Sequence, residues 1–154
     1  MICLTAKLDE QSPCGAVLTL TYEQRVKSRL RAVLDDGREV GVFLERGAVL
    51  RHGDCLAADD GTRVQVRAAR ERVSAVVAAD PLLLAKACYH LGNRHVALQI
   101  ESGRLCYQHD HVLDALVRGL GLTVTEEEVP FEPEPGAYGG SINAHQHTTG
   151  HDHA

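Results

Sequence analysis

The sequence predicts an α+β protein with two folded domains and a histidine-rich tail. Up to residue 70, short segments of alternating apolar and polar residues are separated by turn signals, which is typical of a small all-β domain. From residue 71 to 135, strand and helix patterns follow in the order β-α-β-β-α-β of a ferredoxin-like domain. Residues 136–154 are rich in Gly, Ser, Asn, Thr and His and have little apolar surface to bury, so we expect them to be disordered.

Two hairpins define the predicted N-terminal domain, residues 1–70. The segments 28–34 and 38–44 flank Asp35-Asp36-Gly37, and the segments 55–58 and 62–67 flank a second Asp-Asp-Gly turn. Glycine supplies the positive φ that such a turn requires. Because the valines of residues 63–67 alternate with polar residues, one face of that strand should be buried in a small β-sandwich or barrel.

The predicted second domain, residues 71–135, begins with a strand over 73–79 and then a helix. Asp80 is a suitable N-cap and Pro81 suits the first helical position. The apolar residues that follow recur at three- and four-residue spacing as far as Gly92-Asn93, where the helix should end.

The second half of this domain should contain two paired strands and another helix. The strands are expected over 95–100 and 104–108, around a turn at 101–103. Apolar residues from Leu113 to Leu120 predict the helix, and a last strand should begin at residue 122. The acidic, proline-containing stretch 126–135 should be extended.

The charge balance and hydropathy exclude several classes of partner. Lys and Arg number 16 against 21 Asp and Glu, giving a formal net charge of −5, so the chain lacks the basic field that gathers nucleic acid or anionic lipid. No apolar run approaches the ~18 residues of a membrane span, and the first residues lack an apolar signal region. We therefore expect a cytoplasmic protein that binds neither nucleic acid nor membrane.

Cysteine usage indicates a reduced protein. The five cysteines are widely spaced and include no Cys-x-x-Cys pair, which argues against a disulfide framework and a zinc ribbon. We expect reduced and mostly buried thiols. The five are Cys3, Cys14, Cys55, Cys88 and Cys106.

Histidines are concentrated towards the C-terminus, since eight of the nine follow residue 89. The last four lie within nine residues, and a flexible tract can wrap several imidazoles around one nickel, copper or zinc ion. A purification tag is the alternative, but the tract is interrupted by Gln, Thr, Gly and Asp, so metal binding is favoured. The four are His145, His147, His151 and His153.

Three further histidines, at two sites, are candidate ligands. In His109-Asp110-His111, the two imidazoles can share a metal only if the junction is extended or a helix cap. Alternatively, Asp110 is a helix N-cap between two solvated histidines. His95 alone would more often be structural, but a two-fold interface would place two copies of it together.

No catalytic motif stands out. The sequence contains no phosphate-binding glycine-rich loop, no Gly-x-Ser-x-Gly and no His-Glu-x-x-His. The cysteines on the apolar faces of predicted elements are better explained as buried thiols than as nucleophiles. We therefore predict that the protein is not an enzyme.

Four parts of the chain carry a resemblance to a known family. The stretch 89–100, which contains Gly92-Asn93-Arg94-His95, then 107–114 and the histidine-rich terminus are similar to the urease accessory protein E family, the nickel metallochaperones of urease maturation. The stretch 50–56 with Asp59-Asp60-Gly61 is similar to the N-terminal domain of that family. The resemblance covers most of the chain.

The resemblance implies a function and a set of ligands. It implies a peptide-binding-like N-terminal domain and a homodimer formed through a ferredoxin-like domain, with His95 meeting its symmetry mate around Ni²⁺. Tail histidines would complete this coordination, with His145 and His147 nearest to the folded domain, while His109 and His111 match a peripheral metal-binding pair. The implied partners are the urease accessory GTPase and the apo-urease accessory complex.

Coordination chemistry leaves a second function open. Because imidazole-rich sites bind Cu²⁺ more tightly than Ni²⁺ and also bind Zn²⁺, nickel selectivity would have to come from partners and metal supply. The alternative function is a histidine-tail metal buffer or store for Ni, Zn or Cu. An adaptor that holds extended peptides on the β-domain is compatible with either function.

Overall fold

The computed structural model describes residues 1–9 and 12–136, which contain two compact units, Met1–Ala68 and Ala69–Glu134. Each unit has a hydrophobic core of its own. The histidine-rich tail from residue 137 onwards, predicted to be disordered, lies outside the described residues.

The first unit contains a six-stranded mixed sheet within its described residues. The strands are β1 (Ile2–Leu8), β2 (Ala16–Leu20), β3 (Arg29–Val33), β4 (Glu39–Phe43), β5 (Cys55–Ala58) and β6 (Arg63–Ala68). They lie in the order β2-β6-β5-β1-β4-β3, with β1–β4 and β2–β6 parallel and the other neighbours antiparallel. Both predicted hairpins are confirmed, and Gly37 and Gly61 have φ of 96° and 89° at their turns.

Two features of this unit differ from the sequence prediction. The predicted all-β region contains a short helix, α1 (Tyr22–Arg25), because Thr21 and Gln24 form a capping box. The Thr21 N–H donates to Gln24 Oε1 over 2.9 Å, and the Gln24 N–H donates to Thr21 Oγ1 over 3.3 Å. The strand order also has two ends, so the sheet is not a closed barrel, one of the two predicted forms.

The second unit has the element order β-α-β-β-α-β. Its elements are β7 (Arg70–Val77), α2 (Pro81–Asn93), β8 (Gln99–Glu101), β9 (Arg104–Gln108), α3 (His111–Gly119) and β10 (Val124–Pro130). The strands form an antiparallel sheet in the order β10-β7-β9-β8. Buried side chains of both helices, such as Leu91 and Val117, pack with Leu105 and Tyr107 of β9 to form the core.

Local signals place the start of α2. Asp80 caps α2 by accepting the Leu82 N–H over 3.0 Å, and Pro81 is the first helical residue, as the sequence predicts. The described residues contain no helix that is long and apolar enough to cross a membrane.

The predicted strand over 95–100 is wrong at its N-terminal end, because β8 begins only at Gln99. His95 lies in a turn that closes α2, and the backbone of Leu98 accepts a hydrogen bond from the Glu134 N–H over 2.7 Å instead of pairing within the sheet. Apolar and polar residues alternate over this stretch in the sequence, but the backbone N–H groups at its start are used in the cap of α2.

Candidate metal centre

His95 occupies an unusual backbone conformation at the end of α2. It has φ of 58°, and it is the one non-glycine residue with positive φ in the described part of the chain. The His95 N–H donates to Gly92 O over 3.0 Å, and the Val96 N–H donates to Leu91 O over 3.3 Å. This pair of bonds is a Schellman motif with His95 at the left-handed position, where glycine is the usual residue.

The turn itself does not require an imidazole side chain at position 95. Non-glycine residues in the left-handed region are disfavoured by about 1–2 kcal/mol, although histidine is tolerated there more often than most. The Schellman motif is reinforced by Val96 and Leu91, which both contribute to the core. The turn holds an exposed side chain just beyond the helix end.

His109 has both ring nitrogens next to polar groups. Nδ1 lies 3.1 Å from Ser74 Oγ and 3.4 Å from Asp114 Oδ2, while Nε2 lies 3.5 Å from Glu126 Oε1. Because the Ser74 hydroxyl donates its proton to Asp114 over 2.6 Å, its oxygen accepts from His109. Nδ1 is therefore the nitrogen that donates to Ser74, and Nε2, beside Glu126, is the ring nitrogen that remains for a metal.

Asp114 is the charged centre behind His109. It is only 4% exposed, and Oδ1 accepts hydrogen bonds from Ser74 and from the Tyr107 hydroxyl, the latter over 2.7 Å. Burial opposes its ionisation, but these two hydrogen bonds, with the charges of His109 and Arg118, hold the pKa of Asp114 below its ordinary value. Burial and the neighbouring carboxylate raise the pKa of Tyr107. The result is a carboxylate–histidine pair of the kind that orients metal-ligating imidazoles.

His111 lies in different surroundings from His109. Asp110 is the N-cap of α3 and accepts the N–H groups of Val112 and Leu113 over 2.8 and 3.2 Å, so its predicted capping role is confirmed. His111 is the first residue of the helix and is exposed, whereas the side chain of His109 is 19% exposed. Asp110 is a helix cap with an extended backbone, so the junction meets the condition under which His109 and His111 can share a metal.

The remaining candidates are not brought together by the described residues. Residues 1–9 and 12–136 contain no group of three or more His, Cys, Asp and Glu side chains arranged to hold a metal ion. The four tail histidines, His145, His147, His151 and His153, lie outside those ranges.

Both halves of the chain match known family models. The model of the N-terminal domain of the UreE urease accessory protein matches residues 7–69, and that of the C-terminal domain matches residues 71–154. The chain belongs to the UreE family. This confirms the resemblance found in the sequence, and UreE is a family of accessory chaperones, not of enzymes.

Several curated relatives carry the name "Urease accessory protein UreE". The protein of Alkalilimnicola ehrlichii is 63% identical over 140 residues, which cover 91% of this chain and 86% of the relative. That of Pseudomonas putida strain W619 is 58% identical over 139 residues, covering 90% and 86%. That of Citrobacter koseri is 53% identical over 154 residues, covering 99% of this chain and all of the relative.

The network around Asp114 was not found by sequence reasoning in this UreE chain. Asp114 is one turn after Asp110 and three residues before Val117, which places an acid on the buried side of α3. An acidic residue within an apolar helical stripe was the available signal. Its partners lie on strands, Ser74 on β7 and Tyr107 on β9, and Ser74 is 40 residues away in sequence.

Proposed function

We propose that this protein is a nickel-binding metallochaperone of urease maturation. It delivers Ni²⁺ through the urease accessory GTPase to the apo-urease accessory complex, where the dinickel site is assembled. The observation that carries this proposal is the match of both halves of the chain to the two UreE domains. The location is cytoplasmic, where the complex is assembled.

The proposal gives each region a role. Residues 1–70 form a peptide-binding-like domain, residues 71–135 a ferredoxin-like domain for metal binding and dimerisation, and residues 136–154 a flexible histidine-rich tail. The strand order β10-β7-β9-β8, in which the first and third strands of the unit are neighbours at its centre, supports the ferredoxin-like assignment.

His95 is the proposed axial ligand. The Schellman turn places the exposed His95 side chain just beyond the end of α2, so a two-fold axis near this helix end would bring two copies to one Ni²⁺. Exposed apolar side chains on α2 support a homodimer: Leu82 and Tyr89, seven residues apart on one helical face, are 62% and 66% exposed.

The remaining ligands would come from the tail and from a peripheral site. Two imidazoles leave Ni²⁺ coordinatively unsaturated, and His145 or His147 of the tail would complete the shell, with His151 and His153 as further donors. Mobile donors attach and leave without unfolding a domain, which suits a carrier. His109, through Nε2, and His111 form the peripheral site, which also accepts Zn²⁺ or Cu²⁺.

A nickel titration followed by native mass spectrometry tests the axial site. The samples are the full chain, a chain ending at Asn143, and His95→Gly, with His90→Ala as the matched control on α2. Glycine is the chosen substitution because it removes the imidazole and keeps the φ of 58°. We expect the shortened dimer to keep one Ni²⁺, His95→Gly to lose that ion, and His90→Ala to bind like the full chain.

The four histidines within nine tail residues favour a second candidate, the metal buffer. If the shortened chain binds no nickel and His95→Gly binds as the full chain does, the protein is a buffer and the axial site is wrong. Delivery is tested separately: the nickel-loaded chain is mixed with the GTPase and apo-urease complex, and urease activity is measured against the same amount of free Ni²⁺. Equal activation by free Ni²⁺ would contradict delivery.

A further inference from the structure

Two cysteine sulfurs of the first unit are in direct contact. Cys14 Sγ lies 3.2 Å from Cys55 Sγ, although the residues are 41 positions apart. Both sulfurs also lie near one backbone carbonyl, that of Ser12, at 3.3 Å from Cys14 and 3.6 Å from Cys55. The two thiols therefore share one small site between the β1–β2 connection and the start of β5.

The two thiols differ in how firmly they are held and how accessible they are. Cys55 is 2% exposed, and its backbone is paired with Leu8 of β1 on one side and Gln65 of β6 on the other. Cys14 is half-buried and precedes β2. The expectation of mostly buried cysteines is thus wrong, since Cys55 and Cys106 are buried, Cys14 and Cys88 are half-buried and Cys3 is exposed.

We propose that Cys14 and Cys55 are a thiol oxidation site that closes to a reversible intramolecular disulfide. To form the bond, the sulfurs have to approach from 3.2 Å to about 2.05 Å, the length of a disulfide bond. The bond fastens this connection to the central part of the sheet. It is independent of the proposed nickel function, because both cysteines belong to the first unit.

The oxidant is a low-molecular-weight disulfide such as glutathione disulfide. The Cys14 thiolate attacks one of its sulfurs, which forms a mixed disulfide and releases one glutathione thiolate. The Cys55 thiolate then attacks the Cys14 sulfur, the mixed disulfide breaks, and the second glutathione leaves. The two protons of the cysteine thiols end on the two glutathione thiols, so two cysteines are oxidised and one glutathione disulfide is reduced.

The surroundings of Cys14 make this reaction slow at neutral pH. Burial, followed by the hydrogen bond and charge of Cys55, raises the pKa of Cys14 to about 11, so the attacking thiolate is scarce at pH 7. The rate of oxidation should therefore increase through the alkaline range, while the position of equilibrium depends on the glutathione ratio.

The test uses the full, reduced chain in glutathione buffers with increasing fractions of the disulfide form. Remaining thiols are quenched with acid and alkylated with N-ethylmaleimide, and the intact mass and peptide map are recorded. Of the five cysteines, three should be alkylated after oxidation, and the map should contain one peptide pair joined through Cys14 and Cys55. The melting temperature of the oxidised chain should also exceed that of the reduced chain.

Serine variants distinguish disulfide formation by this pair from oxidation of the other thiols. Cys14→Ser and Cys55→Ser should each abolish the intramolecular bond, and Cys88→Ser, at another half-buried thiol, should keep it. Because Cys14 is half-buried, its serine variant tests the pair even if Cys55→Ser does not fold. Five alkylated thiols in the most oxidising buffer, or a joined peptide that contains a different cysteine, would overturn the proposal.

Discussion

His95 shows how one residue can be unfavourable for stability and useful for binding. Its φ of 58° suits glycine, so we expect His95→Gly to fold at least as well as His95→Ala, with a difference of about 1 kcal/mol in favour of glycine. His95→Val should be the least stable, because a β-branched side chain tolerates this conformation poorly. Urea unfolding of the metal-free variants gives this order. Equal stability of the three would mean that the left-handed turn is absent in solution.

Asp114 should make the metal-free protein sensitive to acid. Its folded-state pKa lies below the unfolded value of about 3.9, so the stability that it contributes is fully present above that value and is lost as the pH falls through the folded-state pKa. Asp114→Asn should lower the free energy of unfolding at pH 7 by about 1–3 kcal/mol, because buried hydrogen-bond partners are left poorly satisfied.

Unfolding in urea from pH 7 to pH 2.5, with a chelator present, measures this effect. The variant should lose less stability than the parent on the acid side. Glu45→Gln, at an exposed carboxylate, is the control and should follow the parent curve. An Asp114→Asn curve parallel to that of the parent over the whole range would contradict the role given to this carboxylate.

The residues of the candidate site differ in how well they could be predicted from the sequence. His95 and His109 were found because histidine chemistry and a family resemblance pointed to them. Asp114 was not, because its importance depends on the hydroxyls of Ser74 and Tyr107, which only the folded sheet places beside it. The left-handed conformation of His95 was also missed, since glycine is the usual signal for such a turn.

At the scale of elements, sequence reasoning succeeded where the determinants are local. The caps Asp80 and Asp110 and both Asp-Asp-Gly hairpins depend on a few neighbouring residues, and all four are found in the structure. The strand expected from His95 failed because its backbone is used by the α2 cap and by Glu134, which is 36 residues beyond Leu98. The helix α1 was missed because a four-residue helix has no apolar period to detect.

The cap of α3 provides a prediction at this scale. Asp110→Ala removes the acceptor of two backbone N–H groups and should destabilise the chain by about 1 kcal/mol. Asp110→Ser, which restores a capping oxygen, should recover most of that loss. Thermal unfolding of both variants measures the difference. If alanine and serine destabilise the chain equally, Asp110 does not act through its capping bonds.

At the scale of the whole molecule, the two units should fold separately. One core cluster lies entirely within residues 1–68 and the other within residues 69–134, and the sheets share no strand. We therefore expect a fragment of residues 69–136 to unfold cooperatively, with the acid sensitivity attributed to Asp114, because the members of that network all belong to this fragment.

A shorter fragment, residues 78–136, is the control for this prediction. Residues 78–136 lack β7, the strand that pairs with both β10 and β9, so β10 loses its only neighbour in the sheet order of this unit. Such a fragment should remain unfolded by circular dichroism, while residues 69–136 should give a sigmoidal transition. If the longer fragment is also unfolded, its core needs the rest of the chain. If both fold, then the register of β7 with β9 and β10 is not what holds the unit together.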